Sequence, residues 1–136
     1  MKALIVDDTS VNLRIMVRIL SDYAECQTAN SGQEAIDLVT VSLENSKPFD
    51  LICMDIMMPG IDGIQSVKKI RELEANYTAL KQPKILMVTT IKDDAYVKKS
   101  IQAGCDGYVL KPVDKYNLLK HLEQLGILNA KKRDIQ

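Results

Sequence analysis

The chain has 136 residues, 46% apolar and 26% charged, the profile of one ordinary globular domain that closes its core without disulfides or a structural metal. Its 18 Lys plus Arg balance 18 Asp plus Glu, so no net field recruits nucleic acid or a membrane surface, and direct DNA binding is not expected. Cys26, Cys53 and Cys105 fall in three different predicted elements, which suggests neither zinc spacing nor a disulfide framework; a reducing cytoplasm is the expected location. No apolar run approaches the roughly 18 residues of a membrane span, and neither a leader nor an anchor is expected.

Ala3-Leu4-Ile5-Val6 is a short apolar run with β-branched members, which predicts a strand buried on both faces, closed by Asp7-Asp8. Thr9 or Ser10 caps the helix that follows, whose inward stripe is Leu13, Met16, Val17 and Leu20. Residues Glu25 to Ala29 alternate in polarity and predict an edge strand. Ser31 with Glu34 predicts a capping box opening a helix that turns Ala35, Ile36, Val39 and Leu43 inward.

Leu51 to Met54 predicts the third strand, which delivers Asp55 to a turn around Pro59-Gly60. Gly60 and Gly63 are expected to supply turn conformations that other residues resist. A helix follows with Ile64, Val67, Ile70 and Leu73 on one side, and Glu74 to Pro83 reads as a polar connection. Lys84 to Thr89 is the fourth strand. Asp93 or Asp94 begins a helix with a thin apolar stripe, Val97 and Ile101, stopped by Gly104. Tyr108-Val109-Leu110 is the fifth strand, and after Lys111-Pro112 a last helix shows Leu118, Leu119, Leu122 and Leu125. Periodicity is gone from Lys131 onward; residues 1–126 are taken as one domain and 127–136 as a tail or the start of a linker.

Five strands alternating with five helices imply an α/β fold, a parallel sheet covered on both faces, with its site beyond the carboxyl ends of the strands. Those ends carry Asp7-Asp8, Asp55, Thr89-Thr90 and Lys111. Carboxylates brought together repel one another unless they share a cation, and all-oxygen ligation without His or Cys favours Mg2+. Asp55 is then the candidate nucleophile of a phosphoryl transfer, with Mg2+, Lys111 and the Thr89 hydroxyl each neutralising one phosphoryl oxygen.

Val6-Asp7-Asp8, the run Met54 to Gly63, Met87-Val88-Thr89-Thr90 and Gly107 to Pro112 together resemble the receiver domains of two-component response regulators, in the stand-alone, chemotaxis-regulator style, over residues 2 to about 126. The resemblance implies a flavodoxin-like fold with strand order 2-1-3-4-5. It also implies that Asp55 accepts a phosphoryl group from a sensor histidine kinase or a phosphotransfer protein. Asp8 would bind Mg2+ directly and Asp7 through water; Met57 would offer its backbone carbonyl. Thr89 and Tyr108 would act as the switch pair, and the Lys111-Pro112 bond would be cis. Output would pass through the face of the fourth helix, fifth strand and fifth helix, with Tyr96, Val97 and Tyr108 as candidate contacts, in a monomer or a phosphorylation-dependent dimer. Such a chain is a switch, not a turnover enzyme.

Met57 and Ile91, bulky and apolar at the two positions that govern water access in this family, imply slow self-dephosphorylation. A phosphohydrolase with an aspartyl intermediate is the alternative, but it would resemble an Asp-x-Asp pattern on the first strand with a cap insertion. A flavin-binding module would need a Ser/Thr/Gly-rich loop where Asp7-Asp8 stands. Cys53 is expected in the core, and His121, the only histidine, at the surface.

Overall fold

A computed structural model describes residues 1–128. Five parallel strands, β1 (Lys2–Val6), β2 (Glu25–Ala29), β3 (Leu51–Met54), β4 (Lys84–Thr89) and β5 (Gly107–Leu110), form one sheet in the order β2-β1-β3-β4-β5. Between and after them run α1 (Ser10–Leu20), α2 (Gly32–Glu44), α3 (Gly63–Glu74), α4 (Asp94–Ala103) and α5 (Lys115–Gln124). The expected strand order and fold class are those observed. The last residues of the expected tail, 129–136, lie outside the described residues.

Successive strand side chains alternate between two cores, which is why the strands read as continuous apolar runs. Leu4, Val6, Ile52, Met54, Ile85 and Met87 face α2 and α3, meeting Ala35, Val39, Val67 and Ile70. Ala3, Ile5, Leu51, Cys53, Leu86, Val88 and Val109 face α1 and α5, meeting Met16, Leu20, Leu118 and Leu122. Each fully buried Leu or Ile contributes roughly 1.5–3 kcal/mol relative to exposure, so both layers are firmly seated. Leu128 is buried in the second core. β2 pairs only with β1 and is the wetter edge strand, as its alternation predicts. Cys53 is buried as expected, which pushes its thiol up to about 12.

The helix ends follow their sequence signals in most places. Ser31 accepts the Glu34 amide at 3.1 Å, which is one half of the expected capping box, and Asp93 caps α4 through the Ala95 amide at 2.9 Å. The reciprocal capping box is seen on α3, where Asp62 accepts the Gln65 amide at 2.8 Å and Gln65 Oε1 accepts the Asp62 amide at 2.9 Å. Gly104 closes α4 in the left-handed region, φ 115°.

Two expectations are corrected. Ile101 is 61% exposed; α4 packs instead through half-buried Tyr96 and Ala103 and buried Ser100, whose hydroxyl donates to the Tyr96 carbonyl at 2.7 Å. A serine on the inward face hid that stripe. Glu74 belongs to α3 rather than to the connection, and it is buried because Arg71, one turn earlier, covers it with a 2.8 Å ion pair.

The same guanidinium donates to the Gly104 carbonyl at 3.0 Å, to the Pro83 carbonyl at 2.9 Å and to Asp106 Oδ2 at 2.9 Å. Arg71 therefore joins α3 to the end of α4 and to the starts of β4 and β5, at the sheet edge opposite Asp55. A Cβ at Gly104 would lie 2.7 Å from Arg71 Cγ, so the close approach also depends on glycine. Burial raises the Glu74 carboxyl above its ordinary value, a rise that Arg71 only partly opposes. Arg71→Met should therefore cost about 3 kcal/mol in urea unfolding, because it strands a buried carboxylate. The double variant R71M/E74L should cost less than R71M alone; a larger loss in the double variant would mean the ion pair itself supplies the stability.

Candidate functional site

Asp7, Asp55 and Lys111 each sit one position beyond a strand, and their backbone amides still bond to the neighbouring strand. Asp7 N donates to the Ala29 carbonyl at 3.1 Å, Asp55 N to the Val6 carbonyl at 3.0 Å, and Lys111 N to the Thr89 carbonyl at 2.9 Å. The sheet register thus fixes where these side chains start. The Lys111-Pro112 bond is cis, as the resemblance implies.

Past Asp55 the chain turns back through Gly60, at φ 80°, and closes with the Gly63 amide on the Ile56 carbonyl at 2.8 Å. Gly60 meets the expected conformational role. Gly63 does not, since its φ is ordinary; a Cβ there would strike the Asp55 carbonyl oxygen, so glycine is needed for space. The start of α3 rests directly on the backbone of Asp55.

Lys111 Nζ lies 2.6 Å from Asp7 Oδ2 and 3.1 Å from Asp55 Oδ2, with its side chain 14% exposed. Asp7 Oδ1 accepts from the Thr9 amide at 3.0 Å, the Thr9 hydroxyl at 3.0 Å and Asn12 Nδ2 at 3.4 Å. Asp55 Oδ1 accepts the Ile56 amide at 2.8 Å. Asp8 is exposed, and one carboxylate oxygen from each of Asp7, Asp8 and Asp55 lies within 4.8 Å of the others. Three hard oxygen donors from two strand ends, with no His or Cys in the group, fit Mg2+ rather than a soft ion.

The two buried carboxylates have opposite electrostatic fates. Burial acts to raise both. At Asp7 the Lys111 bond and the two Thr9 bonds outweigh it, and the carboxyl falls below its ordinary value. At Asp55 burial prevails over Lys111, helped by the neighbouring charge of Asp7, and the carboxyl rises. Burial would lower Lys111, but its two carboxylates hold it above the usual lysine value.

Thr89 is buried at the end of β4, and its Oγ1 accepts the Ile91 amide at a long 3.4 Å. Tyr108 OH donates to the Ile91 carbonyl at 2.8 Å. Ile91, which the sequence marks only as bulk, is therefore held by both expected switch residues. Met57 is 62% exposed beside Asp55. Thr9 and Asn12 went unmarked as partners of Asp7, and Lys111 as a bridge to Asp7. A hydroxyl and an amide within five residues of an acidic pair were the available signal.

The response regulator receiver domain model matches residues 3–123. The chain belongs to that family. Among its relatives, this receiver domain is 33% identical over 119 residues to the chemotaxis protein CheY of Halobacterium salinarum, covering 87% of this chain and 90% of that protein. It is 32% identical to the osmosensing histidine protein kinase SLN1 of Saccharomyces cerevisiae over 86% of this chain, but spans only 9% of that protein's length. The receiver domain of the Arabidopsis thaliana histidine kinase CKI1, solved with Mg2+ and BeF3-, superposes with a TM-score of 0.79 at 29% identity, covering 90% of this chain and 89% of that one. Vibrio cholerae CheY4 superposes at 0.77 and 30% identity, covering 90% and 96%. Family membership separates the receiver from the phosphohydrolase and flavin-binding alternatives. Mg2+ is the metal that the donor set fits and with which the CKI1 receiver was solved. Among the described residues no helix is long and apolar enough to cross a membrane.

A carboxyl raised in the folded protein destabilises it when ionised. That penalty is present at neutral pH and is relieved as pH falls through the raised value. Asp55→Asn should accordingly raise the thermal midpoint in EDTA at pH 7, with Lys111 keeping Asp7 as its partner. Saturating Mg2+ should stabilise the wild type more than the variant. A lower midpoint for the variant in EDTA would contradict this electrostatic assignment.

Proposed function

We propose that this receiver takes a phosphoryl group from the phosphohistidine of a sensor kinase or phosphotransfer protein onto Asp55 and thereby changes its partner-binding face. The observation that carries the reading is the convergence of Asp7, Asp8, Asp55, Thr89 and Lys111 at one sheet edge in a member of this family. Histidine kinases among its relatives support the class of donor. An Asp55 oxygen forms a bond to phosphorus as the donor's nitrogen–phosphorus bond breaks, and the imidazole leaves with the bonding pair. Asp8, Asp55 and the Met57 carbonyl would hold Mg2+, with Asp7 acting through water, and the bound ion would supply positive charge to offset the charge on the transferring group. Lys111 moves its ammonium from the bare carboxylate to a phosphoryl oxygen. Thr89 donates its hydroxyl to another.

That donation draws Thr89 away from the Ile91 amide, whose 3.4 Å bond is long and weak. Ile91 is also the acceptor of Tyr108, so the loop before α4 and the Tyr108 ring respond together, a population shift between two packings. The face that would report it carries exposed Ile101, Leu110 and Tyr116 on α4, β5 and α5. We place its partner there and leave the chain monomeric until phosphorylated. Three cysteines without a disulfide fit a cytoplasmic setting.

Intact mass after incubation with Mg2+ and a small phosphodonor should show one added phosphate on the wild type and none on Asp55→Ala; equal gain on both would overturn the assignment. Met57 and Ile91 offer no polar group to orient an attacking water. Introducing such groups in M57N/I91E should speed loss of the phosphate by about 10-fold or more, read by the same mass assay over time. An unchanged lifetime would remove these residues as the brake.

A further inference from the structure

Thr9 occupies the N-cap of α1, yet its side chain makes no bond to the helix. An N-cap threonine normally contributes about 1 kcal/mol through its hydroxyl accepting a helix amide. Here the hydroxyl and the amide of Thr9 both donate to Asp7 Oδ1, each at 3.0 Å. Asn12, three positions on, occupies the place where a capping box would put Glu or Gln. Its amide instead reaches the same oxygen at 3.4 Å. Three donors from the start of α1 therefore converge on one oxygen of a buried carboxylate. The other oxygen takes only the Lys111 ammonium, 2.6 Å away, and that ammonium also touches Asp55.

We propose that Thr9 and Asn12 are positioning residues for the phosphoacceptor site, acting through Asp7: they lock Asp7 Oδ1 so that Oδ2 faces the cation site and aims Lys111 at Asp55. The inference rests on the reading that the acidic cluster holds Mg2+. A carboxylate with one oxygen saturated by fixed donors cannot swing about its Cβ–Cγ bond, and it presents the remaining oxygen in one direction. Asn12 suits this task because it is uncharged. An aspartate there would add a fourth carboxylate to the cluster, and an apolar residue would remove one of the three donors to Asp7 Oδ1. Hydrogen-bond partners behind metal-binding carboxylates typically change metal affinity or activity 10–100-fold when removed. Asp7 is the outermost of the three acids in the proposed metal sphere, so the lower end of that range applies.

The test is a Mg2+ titration of the full chain followed by amide NMR, with the Ile56 amide, which bonds Asp55, as reporter. Asn12→Leu and Thr9→Val should each weaken Mg2+ binding, and T9V/N12L should weaken it roughly 10-fold. Thr9→Ser, which keeps the hydroxyl, should bind as the wild type does. Thermal midpoints in EDTA should fall only modestly, because the Thr9 amide and Lys111 still hold the Asp7 carboxylate in both variants. Wild-type Mg2+ affinity in T9V/N12L overturns the proposal and leaves the proposed function standing. A midpoint that collapses in EDTA, with affinity per folded molecule unchanged, makes these residues structural and also overturns it. If the wild type shows no Mg2+ response that Asp8→Asn abolishes, the metal-site reading itself fails, and the proposal falls with it.

Discussion

A single ammonium holds the ends of three strands in one place. Lys111, from beyond β5, stands between Asp7, from beyond β1, and Asp55, from beyond β3. Two buried carboxylates this close would otherwise repel each other across a medium that screens charge poorly. The backbone register brings the three residues to the same edge, and the lysine makes their approach tolerable. Removing the charge without replacing it would leave two buried anions, the costliest arrangement such an interior can contain.

This constraint is unevenly shared. Asp7 has four donors and is held low; Asp55 has two and is held high. Asp55, the proposed nucleophile, is thus the less stabilised anion of the pair. Under the proposed chemistry, its unsatisfied charge would attract a divalent cation and then an electrophilic phosphorus. Lys111 would serve both arrangements, because its flexible stem and three donors let it change partner without losing its charge.

Much of this was legible in the residues. Apolar β-branched runs bounded by charge mark strands buried on both faces, and a polar residue that ends such a run is conspicuous. Asp7, Asp8, Asp55, Thr89 and Lys111 were found that way. What escaped depends on contacts between distant segments. Glu74 looks like a loop residue until Arg71 is seen covering it. Ser100 looks like a surface residue, so Ile101 was assigned the inward place on α4. Gly63 looks like a turn glycine, whereas the Asp55 carbonyl claims the space of its Cβ. Thr9 looks like a cap because local sequence does not reveal that a carboxylate two residues back has taken its hydroxyl.

The Arg71 cluster gives α4 a mechanical asymmetry. Its last turn is pinned through the Gly104 carbonyl to α3 and to the starts of two strands. Its first turn follows a loop whose ties at Ile91 are one tyrosine hydroxyl and one long bond to Thr89. Ser100 is its only buried residue, so little core packing stiffens the span between. The helix is in effect a cantilever, clamped at the sheet edge remote from Asp55 and compliant at the end beside it. A small displacement at Thr89 would therefore be expected to move the opening turn of α4 more than its clamped end.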